Sequence, residues 1–288
     1  TFSWKIAIPV TCVTAICGAA ILWHVSKERA IERKLAEAAK ECRVLAEKGD
    51  AKAQCKLGVL YYQGQGVIQN NNEAVRWFRN AADLGYAKAQ CYLGFMYYHG
   101  QGVPKDYAEA VRWFRKAAVQ GYAQAQYNLS IGYAQGQGVP QDYAVAVRWC
   151  RDAANQGYAQ AQIALGFMYQ EGQGVPQDYT EAVGWYRKAA GQGYAYAQYA
   201  LGYMYYKGHG VPQNYVEAVR WYRKAADQGD AQAQYALGFS YSRGDGVPRS
   251  DSEAARWWGK AAKQGDAQAK GALNSNSYCR RGPHDWPY

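Results

Sequence analysis

Histidine is scarce in this sequence: His24, His99, His209 and His284 are its four, and no two stand at a spacing that would let them share a metal ion. Cysteine is odd in number, at seven, and forms no Cys-x-x-Cys pair, so neither a zinc site nor a dithiol redox motif is written here. Acidic residues number 23 against 33 basic ones, which leaves a net charge of +10 and a pI near 9.1. No charged residue occurs from Ile6 to Trp23, and neither glycine nor proline from His24 to Lys48. Catalysis requires one constellation of unlike groups, whereas this chain offers the same residues over and over. The expectation is a protein that is not an enzyme and that holds no cofactor and no metal.

What is abundant is repetition, and a fixed period decides the architecture before any single residue is read. Gly49, Gly85, Gly121, Gly157, Gly193, Gly229 and Gly265 recur every 36 residues, each followed by Tyr or Asp and then Ala. Six full units run from about 49 to 264; a seventh stops after Leu273, and Ala38 to Lys48 fits the second half of a preceding one. Within a unit, Ala89, Leu93 and Tyr97 recur at helical spacing and predict a first helix, helix A, over Tyr86 to His99. Gly100-Gln101-Gly102-Val103-Pro104 then stops it with turn chemistry. Asp106 with Glu109 predicts a capping box that opens helix B, Glu109 to Gln120, and the box recurs at Asn70/Glu73, Asp178/Glu181, Asn214/Glu217 and Ser250/Glu253. The repeated Gly-Gln-Gly reads as that turn and not as a phosphate loop, since the Lys-Ser or Lys-Thr of such a loop is missing.

A helix pair of this size buries its apolar stripe only by stacking on its neighbours. The units read Gly-Tyr-Ala-Gln-Ala-Gln, Leu-Gly-x-x-Tyr, Gly-x-Gly-Val-Pro and Glu-Ala-Val-Arg-Trp, and over residues 49 to 273 they resemble Sel-one-like repeats (SLR), relatives of the tetratricopeptide repeats. Departures are few: Ile68-Gln69 replaces Val-Pro or its Pro position in the first unit, Ser130 and Gly132 alter the third, and Gly184 replaces the usual Arg in the fifth. The resemblance implies an all-α, right-handed α-solenoid that serves as a protein–protein interaction scaffold, often at membranes.

The uncharged run of residues 6 to 23 would be about 27 Å long as a helix, close to the hydrocarbon thickness, with Trp4 and Trp23 placed as an aromatic belt would be. The chain is therefore expected to divide into a transmembrane anchor (1–24), a connecting helix and capping half-repeat (25–48), six repeats with a C-terminal half-repeat (49–273), and a tail (274–288). Residues 4–24 would contact the lipid bilayer; the alternative is a cleaved signal peptide, which would make the protein an exported soluble adaptor. The helix-forming stretch after the span predicts a continuous rod into the first half-unit. Lys27, Arg29, Arg33, Lys34 and Lys40 follow the span, against Lys5 before it, which favours repeats on the cytoplasmic or matrix side; an extracytoplasmic side is the alternative.

Much of the basic excess is a periodic pair on helix B, such as Arg76/Arg79, Arg112/Arg115, Arg148/Arg151 and Arg220/Arg223. It reads as a solvated face whose guanidinium groups also lie on aromatic rings, ahead of a lipid-facing or acid-facing ridge and well ahead of nucleic-acid binding. Cys55 and Cys91 share one helix A phase, and Cys42 and Cys150 one helix B phase, where other units carry larger apolar or aromatic residues, which points to packing.

A binding surface should lie where units differ while core phases do not. Leu57, Leu93, Leu129, Leu165, Leu201 and Leu237 are invariant, as are Tyr61, Tyr97, Tyr133, Tyr169, Tyr205 and Tyr241. One stripe over, Tyr92, Phe95 and His99 become Asn128, Ile131 and Gln135, then Ala164, Phe167 and Glu171, then Ala200, Tyr203 and Lys207, with Phe239 and Arg243 at the last two phases of the sixth unit. Each set shares one helix face. By analogy with related solenoids, this stripe is the expected partner groove, on the concave side; the alternative is that its rings pack between neighbouring helices. In the tail, Arg280, Arg281, Trp286 and Tyr288 are anchor-type residues for an interface. The expected partners are other proteins, recruited by a membrane-anchored scaffold or, alternatively, bound permanently as subunits of a membrane complex.

Overall fold

The computed structural model describes the backbone of residues 10–275, and side chains for residue 27 and residues 30–274. Fourteen helices occupy that range: α1 (Val10–Glu47), α2 (Ala51–Gln63), α3 (Asn71–Asp83), α4 (Ala87–His99), α5 (Tyr107–Ala118), α6 (Ala123–Gln135), α7 (Tyr143–Asn155), α8 (Ala159–Glu171), α9 (Tyr179–Gly191), α10 (Ala195–Lys207), α11 (Tyr215–Asp227), α12 (Ala231–Arg243), α13 (Asp251–Lys263) and α14 (Ala267–Ser275). The described residues contain no strand. The fold is an all-α solenoid of repeating helix pairs, and it divides between Gln120 and Gly121 into two compact units. Helix A and helix B lie where the period places them, with α5 opening two residues earlier than predicted because Asp106 is itself the N-cap. The helix that precedes the first repeat runs from Val10 to Glu47, and it is unbroken through the glycine- and proline-free stretch that begins at His24, as that stretch predicts. Among the described residues no helix is long and apolar enough to cross a membrane. The side chains of the predicted span, and all of residues 1–9, lie outside the described residues.

Two close approaches that only glycine permits recur along the array. In helix A, a Cβ at Gly202 would stand 2.7 Å from the Tyr222 ring of helix B, so the glycine brings the two helices into direct contact. In the turn, Gly210 (φ 71°) lies on the first residue of the previous helix B, where a Cβ would meet the Tyr179 carbonyl oxygen at 2.3 Å. The first contact pairs helices and the second stacks repeats.

The third repeat solves the first problem differently. Ser130 stands at the helix A glycine phase, and the facing aromatic is replaced by Cys150, which is fully buried. Shrinking one side accommodates growth on the other. Ser130 Oγ donates to the Tyr127 carbonyl at 2.7 Å, and Cys150 Sγ to the Ala161 carbonyl at 3.2 Å.

A buried glutamine ladder links successive helices. In the first unit Gln90 Nε2 donates to the Ala82 carbonyl of the preceding helix B at 3.1 Å, and its Oε1 accepts from Gln120 Nε2 at 2.8 Å. In the second unit Gln162, Gln198 and Gln234 donate back in the same way, and Gln192, Gln228 and Gln264 donate to them at 2.8 to 2.9 Å. The first rung is incomplete: Leu84 occupies the Gln120 phase, and the buried Gln54 Oε1 has no hydrogen-bond partner.

The capping boxes form only by half. Asp106 Oδ1 accepts from the Ala108 and Glu109 amides at 2.9 and 3.0 Å, as predicted. Its own N–H, however, donates to the Tyr97 carbonyl of helix A, leaving Glu109 nothing to reach back for. Glu109 instead pairs with Arg112 at 3.0 Å, and Glu73–Arg76, Glu217–Arg220 and Glu253–Arg256 do likewise. The second arginine of each pair serves another end: Arg79 and Arg151 each donate to a tyrosine hydroxyl of the following helix A, Tyr97 and Tyr169, at 2.7 Å. Arg76 and Arg151 lie over Trp77 and Tyr169 at 5.0 and 5.9 Å, as expected of guanidinium groups, and lysines that were not expected come closer, with Lys116, Lys188, Lys224 and Lys260 lying 3.7 to 4.3 Å from Trp113, Trp185, Trp221 and Trp257.

Two substitutions test this packing. Leu84→Gln supplies the missing donor to Gln54 and raises stability by about 1 kcal/mol in urea denaturation; an unchanged midpoint would show that the orphaned amide costs nothing. Cys150→Tyr lowers stability by about 1–3 kcal/mol through overpacking, and Ser130→Gly in the same chain recovers most of the loss. Strict additivity of the two changes would refute the compensation.

Candidate partner-binding surface

Helix A carries its variable stripe beside its core residues, so the stripe is set by the same packing that buries Leu93, Leu165 and Leu201 completely. None of the predicted groove rings is fully buried. Tyr92 and Phe95 are half-buried, and His99 is exposed; Asn128 is half-buried and Gln135 exposed; Phe167 and Glu171 are exposed, with Phe167 at 40%. Tyr203 and Phe239 are half-buried beside the exposed Lys207 and Arg243. The tail residues Arg280, Arg281, Trp286 and Tyr288 lie outside the described residues.

In the first unit the stripe is mostly engaged with itself and with the core. Tyr92 stacks on Phe78 at 4.9 Å and 13°, and this burial pushes its hydroxyl pKa up. Phe95 meets Tyr62 edge-on at 6.2 Å and His99 at 4.3 Å, and His99 in turn contacts Tyr98 at 5.0 Å. Here neighbouring helices share the rings, so this stretch satisfies the packing alternative in part.

The second unit is more open. Tyr203, Lys207 and Phe239, three of the predicted residues, line one cleft of about 270 Å³ together with Tyr199, Tyr206, Tyr235 and Gln268. Tyr235, Phe239 and Gln268 are shared with an adjoining cleft of about 590 Å³ whose far wall includes Arg249, Asp251 and Trp258. Lys207 Nζ lies 5.8 and 5.9 Å from the Tyr203 and Tyr206 rings, and Arg243 lies over Phe239 at 5.3 Å. Tyr206 donates to Asp245 Oδ2 at 2.9 Å; burial first, and then that bond, push its pKa up to about 12. The result is a wall of tyrosines edged by Lys207 and Arg243. Rings of this kind offer large rigid contact area at little entropic cost, with hydroxyls for hydrogen bonds.

Sequence reasoning missed Tyr199, Tyr235 and Gln268. Tyr199 and Tyr235 share the phase of Cys55 and Cys91, which reads as packing; they serve the cleft because α14 offers only the glycine Gly271 at that phase. The four described thiols are inert candidates for chemistry. Cys42, Cys55, Cys91 and Cys150 are buried, and desolvation holds Cys55 and Cys150 up to about 12. Among the described residues no three His, Cys, Asp or Glu side chains converge as metal ligands.

The Sel1 repeat family model matches residues 51–86, 87–122, 123–158, 159–194, 195–230 and 231–266. The chain belongs to the Sel1 repeat family, whose members mediate protein–protein interactions. Among solved structures it is similar to a protective antigen present in uropathogenic Escherichia coli strains that displays an SLR fold, with 42% identity and a TM-score of 0.78. That match covers 82% of this chain and 50% of the other, so the chain spans about half the length of that relative. A Sel1 repeat protein from Oxalobacter formigenes is 32% identical, with a TM-score of 0.72 over 83% of this chain and 95% of that one. No curated protein matches.

Proposed function

We propose that this protein is a membrane-anchored scaffold that holds a segment of another protein against its helix A stripe, with the main anchor in the C-terminal cleft. The observation that carries the reading is convergence: Tyr203, Lys207 and Phe239, chosen because they vary between repeats, line one open cleft with five further aromatic or amide side chains, Tyr199, Tyr206, Tyr222, Tyr235 and Gln268. A partner that fits it brings an apolar or aromatic side chain to the Tyr203–Phe239 wall, a backbone group to Gln268 and an acidic flank to Lys207. The uncharged run of residues 6 to 23 supports the anchor, and the basic residues after it support a cytoplasmic or matrix side for the repeats. Repeated packing residues supply no catalytic constellation, and the reading assigns no enzymatic activity. A permanent structural subunit of a membrane complex is the second reading, supported by the unbroken α1, which would hold the repeats at a set orientation to the bilayer.

Peptides selected from a random library on the full chain test the cleft. Their affinity is expected to fall at least about tenfold on Tyr203→Ala or Phe239→Ala, each a loss of about 1.4 kcal/mol or more, and to be unmoved by Lys188→Ala on the helix B face. Binding indifferent to both cleft substitutions would reject the assignment. Carbonate extraction of native membranes tests the anchor: the chain is expected in the pellet, and its release would contradict the span.

A further inference from the structure

The turns of the array reach back to the helix B before them. A Cβ on Gly102, Gly174, Gly210 or Gly246 would stand 2.2 to 2.4 Å from the carbonyl oxygen of Asn71, Tyr143, Tyr179 or Tyr215, the first residues of α3, α7, α9 and α11. The residue ahead of the glycine lands beside that contact: His209 stacks on the Tyr179 ring at 4.5 Å and 21°, and Asp245 accepts from Tyr206 at 2.9 Å. Among the described residues no glycine takes this place on Asp251, the first residue of α13. A cleft of about 590 Å³ stands open there, lined by Asp251, Arg249, Ser242, Phe239 and Trp258 together with Ala272 of α14. Its counterpart one period earlier, where Tyr206 carries the Asp245 of the next turn, is about 270 Å³.

In sequence the period runs on past α14. Thirty-six positions after Asp245-Gly246 stand Arg281-Gly282. We propose that residues 280–283 of this chain fold back as a seventh turn onto the start of α13, with Gly282 on the Asp251 carbonyl and Arg281 against the Asp251 carboxylate, and so roof the larger cleft. Charge selects this occupant. In the five turns before it, the residue ahead of the glycine and the first residue of the preceding helix B run from Gln101 with Asn71 to Asp245 with Tyr215, and no pair has opposite charges. At the seventh both positions change together, to Arg281 and Asp251. Arg249 Nε already lies 3.6 Å from Asp251 Oδ1, and a carboxylate has acceptor sites for two guanidinium groups. The first turn glycine, Gly244 in the sixth unit, becomes Arg280, so the match is confined to the tip that makes the contact. Reach is sufficient: Ala272 of α14 itself lines the cleft, and the seven residues from Ser275 to Gly282 extend to about 23 Å. The inference concerns the larger cleft and does not depend on a partner at the Tyr203 cleft.

Limited trypsin digestion of the full chain in mild detergent tests it. Cleavage after Arg280 and Arg281 is expected to be slow in the parent and at least about tenfold faster in Gly282→Val, which places a side chain against the Asp251 carbonyl, and in Asp251→Ala, with cleavage inside the repeats unchanged. Disulfide mapping gives a second measurement. In a Cys279→Ser background, Asp251→Cys with Arg281→Cys is expected to form an intramolecular disulfide at least about tenfold faster than Lys224→Cys with Arg281→Cys, because only the first pair is held within bonding distance. A parent tail cut as fast as the Gly282→Val tail overturns the inference. So does equal cross-linking of the two cysteine pairs, which is the behaviour of an undocked tail, or a disulfide found only between chains, which assigns the cleft to the tail of a second copy.

Discussion

The repeat stack depends on a buried amide. Alanine-rich helices pack closely but slide easily, because small apolar side chains define no register. Gln90, Gln162, Gln198 and Gln234 remove that freedom: each donates to a carbonyl of the helix before it and accepts from a glutamine at the end of the helix after it. In a nearly dry core an unmatched amide is costly, so only the stacking offset that satisfies both ends is stable. Glycine against ring and glycine against carbonyl then bring the helices as close as this bonding requires.

That logic explains why so much of the fold was legible from the sequence. Period, helix boundaries, turn glycines and N-caps are local or strictly recurrent, and each appears where Gly100, Asp106 and Leu93 place it. The errors concern side chains with two possible partners. Glu109 has both a cap amide and Arg112 within reach, and the choice turns on the Tyr97 carbonyl, a contact that local spacing does not reveal. The cation over the tryptophan is lysine in most repeats because the neighbouring arginines are drawn to glutamate and tyrosine. The reciprocal exchange of Ser130 with Cys150 was visible only as two unrelated departures from pattern, since helix A and helix B phases meet only in three dimensions.

The candidate site shows the same division. Variation among repeats selects Tyr203, Lys207 and Phe239, and these three line one cleft. It does not separate Tyr92, whose ring stacks on Phe78, from Tyr203, whose ring also lines the cleft. It also passes over Tyr199, Tyr235 and Gln268, which line the cleft because the array ends in a half-repeat beside them. At the other end, α1 leaves Ile31, Leu35 and Leu45 exposed, because it is a second helix with no first helix before it. Both ends of the array therefore present surfaces that interior repeats bury.

Photo-crosslinking in native cells tests most directly the assignment of a partner to the Tyr203 cleft. A benzophenone amino acid at Tyr203 or at Phe239 is predicted to capture the same partner protein, and one at the outward-facing Lys224 to capture none. Equal capture from Lys224, or capture from that position alone, would show that the partner approaches the helix B face and would contradict the account.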